Sequence, residues 1–248
     1  MKKTLLIIGA IVFLGIAAIS AYILRPSQEA SAPIQATPIA TQIPVPIAVA
    51  AEPSVEETEG PSPQPVDPIP GGVVIYTISQ DESEVRFSLD EILRGRPFTP
   101  VGVTNQVAGE ISLDLNQKLA EVGAIQVNAR TLKTDSEFRD RAINNEILKT
   151  DEYEFITFIP TQISGLPQDA GVGDQVQFQI TGDLTIRDIT LPVTFEVTAA
   201  LVDASRLEGS ASATVLRSDY GLVIPSVPSV ADVSDEVLLE IDFVALAG

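Results

Sequence analysis

The chain has no cysteine, histidine or tryptophan, and a single methionine. Without cysteine there is no disulfide, no thiolate nucleophile and no Cys-ligated zinc. Without histidine the commonest general base and metal ligand is gone. Basic residues are also scarce, 15 against 34 acidic, for a net charge of −19. Such a chain repels phosphate backbones, which excludes nucleic acid as a partner. The chemistry still open is a carboxylate pair, a Ser-Lys nucleophile or oxygen-ligated calcium, and no EF-hand spacing is present. The sequence therefore predicts no catalytic residue, no metal and no cofactor.

What is present begins with Lys2 and Lys3 and an apolar run from Leu5 to Leu24, broken only by glycine and Ser20. A run of this length is enough to cross a bilayer, and the leading lysines keep its start in the cytoplasm. Ala18-Ile19-Ser20 offers a signal-peptidase site, but Tyr22-Ile23-Leu24 continues the run and favours a retained signal anchor over a cleaved signal peptide. The expected location is the cell membrane with the rest of the chain on its periplasmic or extracellular side, or secretion if cleavage occurs. Residues 25–72 then carry prolines throughout, from Pro26 to Pro70, and a Glu56, Glu57, Glu59 cluster. Proline at this density removes ladder donors and helix geometry, which predicts a disordered, extended spacer.

Residues 73–248 form the predicted domain. Val176, Phe178, Ile180 and Leu184 alternate with polar residues, and after Ile186-Arg187-Asp188-Ile189 the alternation resumes at Leu191, Val193, Phe195 and Val197. Period-two patterning across a short polar break predicts a β-hairpin with one apolar face. Similar alternation at Val73–Ser79, Val85–Leu89, Val107–Leu115, Ile125–Ala129, Phe155–Ile163, Gly209–Val215 and Val237–Ala245 brings the strands to about eight. The stretch Thr134–Leu148 differs: capping residues and acids precede Phe138, Ala142, Ile143 and Ile147, as at a helix start. Asp135, Glu137 and Asp140 would be the acids of a carboxylate-dependent hydrolase, although a helix N-terminus attracts acids without any catalysis.

Alternation alone leaves a sandwich and a barrel both open. Gly109, Ala129, Gly209, Ala211 and Ala213 are small on faces expected to point inward, which leaves room that an eight-stranded barrel can use for one ligand. Phe87, Phe158, Phe178, Phe195 and Phe243 could equally fill that room, as native interiors tolerate few voids. A filled core would fit a structural or adhesive cell-surface module.

Several ordered motifs resemble the YceI-like family of exported polyisoprenoid-binding proteins. They are Arg139-Asp140 with Ile143 and Ile147-Leu148, Tyr153–Phe158, the hairpin Gly182–Val193, Leu216-Arg217-Ser218-Asp219-Tyr220-Gly221-Leu222, Val233–Val237 and the opening Tyr76-Thr77-Ile78 with Ser83, Val85 and Phe87. The resemblance spans Val73 to Leu246. It implies an all-β, eight-stranded antiparallel lipocalin-like barrel with one short helical insertion, whose tunnel takes a long isoprenoid or other amphiphilic lipid without chemical reaction. Departures are Glu82 and Asp90-Glu91 where the family often has histidine, Asp188 for the hairpin glycine, and a longer, more basic Leu93–Pro100 loop.

On this reading the lipid tail lies among Phe87, Leu89, Val107, Ile111, Val127, Phe178, Ile180, Phe195, Ala211, Ala213, Ile241 and Phe243. Arg94 and Arg96 are candidates for an anionic head group, because guanidinium groups suit phosphate or carboxylate. Arg217 joins them from the family-like motif; it and Arg139 also have acidic neighbours, Asp219 and Asp140, for structural ion pairs. The expected partners are a long-chain isoprenoid or fatty lipid and, through the N-terminal helix, the membrane.

Overall fold

In a computed structural model of the chain, residues 26, 28–31, 33–39, 72–114, 119–167 and 170–248 are described. Short strands come first: β1 (Val73–Ile78), β2 (Glu84–Ser88), β3 (Glu91–Leu93), β4 (Arg96–Phe98), β5 (Val101–Thr104), β6 (Val107–Ala108), β7 (Glu110–Asp114), β8 (Leu119–Val122) and β9 (Ile125–Asn128). A 3-10 turn (Ala129–Thr131), the helix α1 (Glu137–Ala142) and a π-helical turn (Ile143–Ile147) follow. Long strands complete the domain: β10 (Phe155–Ser164), β11 (Gln175–Ile186), β12 (Ile189–Asp203), β13 (Arg206–Leu216) and β15 (Glu236–Ala247), with the short β14 (Val230–Ala231) before the last.

The β11–β12 hairpin sets the pattern. It pairs without a break from Gln175 opposite Ala200 to Ile186 opposite Ile189, and Arg187 takes a positive φ of 59° in its two-residue turn. A residue with φ > 0 is what a tight hairpin turn needs, and a non-glycine can supply it at modest cost. Phe178, Ile180 and Leu184 share the inner face with Phe195, Val197 and Leu201, so pleat and hydrophobic period agree. On the outer face Thr181 and Thr194 exchange a 2.8 Å hydrogen bond, Thr185 and Thr190 one of 2.9 Å, and Gln179 donates to Glu196 at 2.6 Å. Cross-strand polar pairs of this kind hold register on the wet side.

All ladders among the described residues are antiparallel. The main sheet runs β6-β9-β10-β11-β12-β13-β15-β1-β7-β8, with β2 and β5 branching beside β15, and β14-β3-β4 form a second, small sheet. Gly109 alone separates β6 from β7, and Gly123 and Ala124 separate β8 from β9. Both ends of the path therefore lie on one hairpin, and the strands curl into a half-barrel with one short helix. A bulge between Pro160 and Gln162 helps the curl. The extra residue bends β10 at a proline that cannot donate to the ladder, and it keeps Ile163 on the same face as Ile156 and Phe158.

One end is capped. Ser136 caps α1 by accepting from the Arg139 N–H, and the buried Asp140 carboxylate accepts from the backbone and hydroxyl of Thr134 at 2.8 and 2.7 Å. Ile143 and Leu148 turn inward onto Leu184, Ile186, Val215 and Tyr220. Phe138 is exposed. The six-residue helix widens into a π-turn at Ile143.

Met1–Leu24, predicted to be a signal anchor, lies outside the described residues. Among those described, no helix is long and apolar enough to cross a membrane. The described part of the predicted spacer is seated on the domain. Ser31 donates through its N–H and hydroxyl to the Glu154 carboxylate, both at 2.7 Å. Arg130 donates to the Glu29 carbonyl, Gln80 to the Ile34 carbonyl, and the Ile39 N–H to Glu110. Ile34 and Ile39, each following a proline, are buried. Proline at this density removes ladder donors, but it does not forbid side-chain burial or hydrogen bonds from the remaining backbone groups.

Candidate functional site

Inside the curl lies a cavity of about 300 Å³, at the lower end of the range of small-molecule sites. Phe87, Phe158, Phe178, Phe195 and Phe243, the five residues that could have plugged the interior, line it instead. Three of them are packed against a glycine. A Cβ on Gly209 would stand 2.7 Å from the Phe243 ring, one on Gly182 2.7 Å from the Phe158 ring, and one on Gly102 would overlap the Phe87 ring. Each of these three rings packs over a glycine on the neighbouring strand. This is the arrangement in which an aromatic side chain covers a strand glycine. Phe158 and Phe195 also meet edge to face, with ring centroids 4.9 Å apart.

The ionisable side chains on the wall, among the described residues, are Arg86, Asp114, Asp174 and Glu240. Arg86 is bound by Glu84 at 3.0 Å and Asp242 at 2.6 Å, with Glu240 at 3.8 Å. Hydrogen bonds that Arg86 donates to Glu84 and then to Asp242 raise its already high pKa, so its charge is fixed and locally matched. The most exposed wall residues are Leu119, Pro167, Ala170, Gly171 and Asp174, which places the mouth at the start of β8 and the β10–β11 connection. The opposite end is closed by the cluster around Tyr220, Ile143 and Leu148.

Of the residues expected around a lipid tail, Phe87, Ile111, Val127, Phe178, Ile180, Phe195, Ala211, Ile241 and Phe243 line the cavity. Leu89, Val107 and Ala213 do not. Val107 is wholly buried beside Tyr76 and Ile78, and Leu89 follows the end of β2, where the chain leaves the main sheet. The wall also includes Leu184, Ile186, Val197, Leu201 and Leu207. Leu184 and Val197 stand in register with residues already chosen, and extending the same period-two count would have found them. Leu166, Pro167 and Ala170 belong to a loop, where no periodicity exists to read.

The arginine candidates are elsewhere. Arg94, with a φ of 51°, and Arg96 are exposed at the tip of the β3–β4 hairpin, off the cavity wall. Arg217 donates to the carbonyls of Ser234 and Leu222, both at 3.1 Å, and faces Asp235 at 3.7 Å rather than Asp219. A hydrogen bond from the Ser218 hydroxyl holds the Asp235 carboxyl below its usual range despite some burial, with Arg217 adding to the effect. Arg139 pairs with Asp135 and, at 3.0 Å, with the buried Glu91, while its guanidinium lies over Phe98. These arginines tie α1, β3 and the β13–β15 connection together. The three carboxylates weighed for hydrolysis are likewise engaged at the helix: Asp135 with Arg139, Glu137 with Arg141, and Asp140 with Thr134.

A scan against family models matches residues 76–245 to the YceI-like domain. Among solved structures, a polyisoprenoid-binding domain from Saccharophagus degradans, implicated in plant cell wall breakdown, is 12% identical with a TM-score of 0.58, over 71% of this chain and 99% of that one. Burkholderia cenocepacia BcnA is 17% identical with a TM-score of 0.52, over 67% of this chain and 98% of that one. At such identities these likenesses speak for the fold. No curated protein matches the chain. With a family match over most of its length and an antiparallel sheet curled around an apolar hollow, the chain belongs to the YceI-like family.

Proposed function

We propose that this protein holds a long-chain amphiphilic lipid, a polyisoprenoid or a fatty chain, in its cavity and performs no reaction on it. The single observation that carries the reading is the lumen: five phenylalanines flank an apolar space of about 300 Å³ instead of filling it. A hydrocarbon chain entering it gains roughly 0.8 kcal/mol per methylene buried, so tail length sets affinity with few polar contacts. We read the curled sheet as an eight-stranded, lipocalin-like barrel, since both ends of its strand path share one hairpin. The polyisoprenoid-binding Saccharophagus domain supports the choice of ligand class. Export follows from the apolar run Leu5–Leu24, acting as an anchor with the barrel outside the cell, or as a cleaved signal.

Mass spectrometry of an organic extract from natively purified protein tests the reading. A lipid present near one per chain is expected. An empty extract, together with no uptake of labelled polyprenyl or fatty chains by delipidated protein, would leave a structural module as the better account.

A further inference from the structure

Among the described residues, the charged side chain exposed at the cavity mouth is a carboxylate, and the described arginines are engaged elsewhere. Asp174 is exposed on the β10–β11 connection, where its carboxylate accepts from the Gly171 N–H at 2.9 Å. On the wall the described cation is Arg86, which three carboxylates surround. Arg206, next in sequence to the wall residue Leu207, is gripped by Glu82 at 2.8 Å and by Glu208. Arg94 and Arg96 stand on a separate hairpin, and Arg217 is spent on backbone carbonyls. The whole chain carries −19, so the field outside the mouth has the same sign as the rim.

From this we infer that the site selects amphiphiles by head-group charge: the tail enters the apolar lumen, and the head left at the rim is cationic in preference to neutral, and neutral in preference to anionic. The inference rests on the lipid-holding reading above and narrows it to a ligand class. A carboxylate or phosphate head would be set beside Asp174 with no free guanidinium on the described wall to receive it, and juxtaposed like charges oppose binding. An ammonium head meets a carboxylate there. Because the rim is solvated, the preference weakens as salt rises.

The experiment uses the full chain in phosphatidylcholine nanodiscs and three photoreactive probes that share one dodecyl tail and bear an ammonium, a hydroxyl or a carboxylate head. The readout is the probe concentration giving half-maximal labelling of cavity residues such as Phe178 and Phe243. The ammonium probe should need about fivefold less than the carboxylate probe at low salt, with the hydroxyl probe between. Asp174→Asn keeps an acceptor for the Gly171 N–H and should narrow the gap; Asp174→Lys should reverse it. The bilayer is common to all samples, so the change between variants reads the rim itself. A carboxylate probe that labels as well as the ammonium probe, or an order unmoved by Asp174→Lys, overturns the charge inference and leaves lipid holding intact. Absence of cavity labelling by all three probes overturns both.

Discussion

The two ends of the curled sheet are made of opposite materials. At the capped end Asn128, Asn144, Asn145, Thr150 and Asp140 are buried among Tyr220, Ile143 and Leu148, and polar groups reach across from strand to helix to loop. At the open end Leu119 and Val172 are exposed, and a glycine-containing connection borders the mouth. Apolar surface is covered by the protein itself at one end and left open at the other. Buried polar networks rigidify where they are satisfied, while an unfilled apolar lumen holds back burial energy that a ligand can collect. Stability and binding therefore sit at separable places, and substitutions should divide them.

The largest effect is expected at the capped end. Tyr220→Ala should lower unfolding free energy by about 3–5 kcal/mol, as for other large buried side chains, measurable by chemical denaturation. Tyr220→Phe should stay within about 1 kcal/mol of the parent, because the buried hydroxyl has no hydrogen-bond partner. Burial, reinforced by Asp219, pushes that hydroxyl's pKa up to about 12, so it stays neutral throughout the working range. A Phe variant as damaged as the Ala variant would show that the hydroxyl, not the ring, holds this end together.

Next come the glycines of the wall. Gly209→Ala brings a Cβ to 2.6 Å from the Thr198 carbonyl as well as onto the Phe243 ring, and overpacking against backbone should cost about 1–3 kcal/mol. At Gly102→Ala the three nearest atoms all belong to the Phe87 ring, and that ring lines the lumen. Its expected signature is lost uptake of a dodecyl probe with a smaller loss of stability than Gly209→Ala. Equal stability losses with uptake preserved would refute the idea that rings pinned on glycines keep the lumen open.

A smaller effect concerns the strap formed by residues 28–31 and 33–39. Burial pushes the Glu154 carboxyl up, but hydrogen bonds from Ser31 and Asn128 and the charge of Arg130 outweigh it and hold it below its ordinary 4.5. A carboxyl with a lowered folded-state pKa contributes stability that is present above the ordinary value and lost as pH falls through the folded one. Hydrogen exchange at residues 28–39 should therefore stay slow at neutral pH and rise on acidification below about pH 4.5. Ser31→Ala should raise exchange already at neutral pH and flatten the acid response. The smallest effect is at the β3–β4 hairpin: Arg94→Gln with Arg96→Gln should change stability by less than about 0.5 kcal/mol and leave lipid uptake unchanged.

Much of the wall was legible in the sequence. Period-two alternation from Gln175 to Val197 named the hairpin, its turn and its inner face, because a strand exposes alternate side chains to opposite sides whatever it packs against. A helix start within Thr134–Leu148 was legible for a similar local reason, since a helix start needs acceptors for its free N–H groups. The π-turn after Ala142 was not. Nor was the seat of Ile34 and Ile39 legible, because two isoleucines five residues apart among prolines match neither period. The arginines were read by their neighbours in sequence, but Arg217 found Asp235 and Arg139 found Glu91, partners that only the folded chain brings close.

By itself the amino-acid order determined the chemistry that is absent, the strands and the polarity of each face, since these depend on residue type and on spacings of a few positions. Whether the phenylalanines would plug the interior or line it was decided by tertiary structure. For Phe87, Phe158 and Phe243 that outcome depends on the glycine facing the ring across a ladder, as Phe243 faces Gly209, and the ladder's register is set by pairing between segments far apart in the chain.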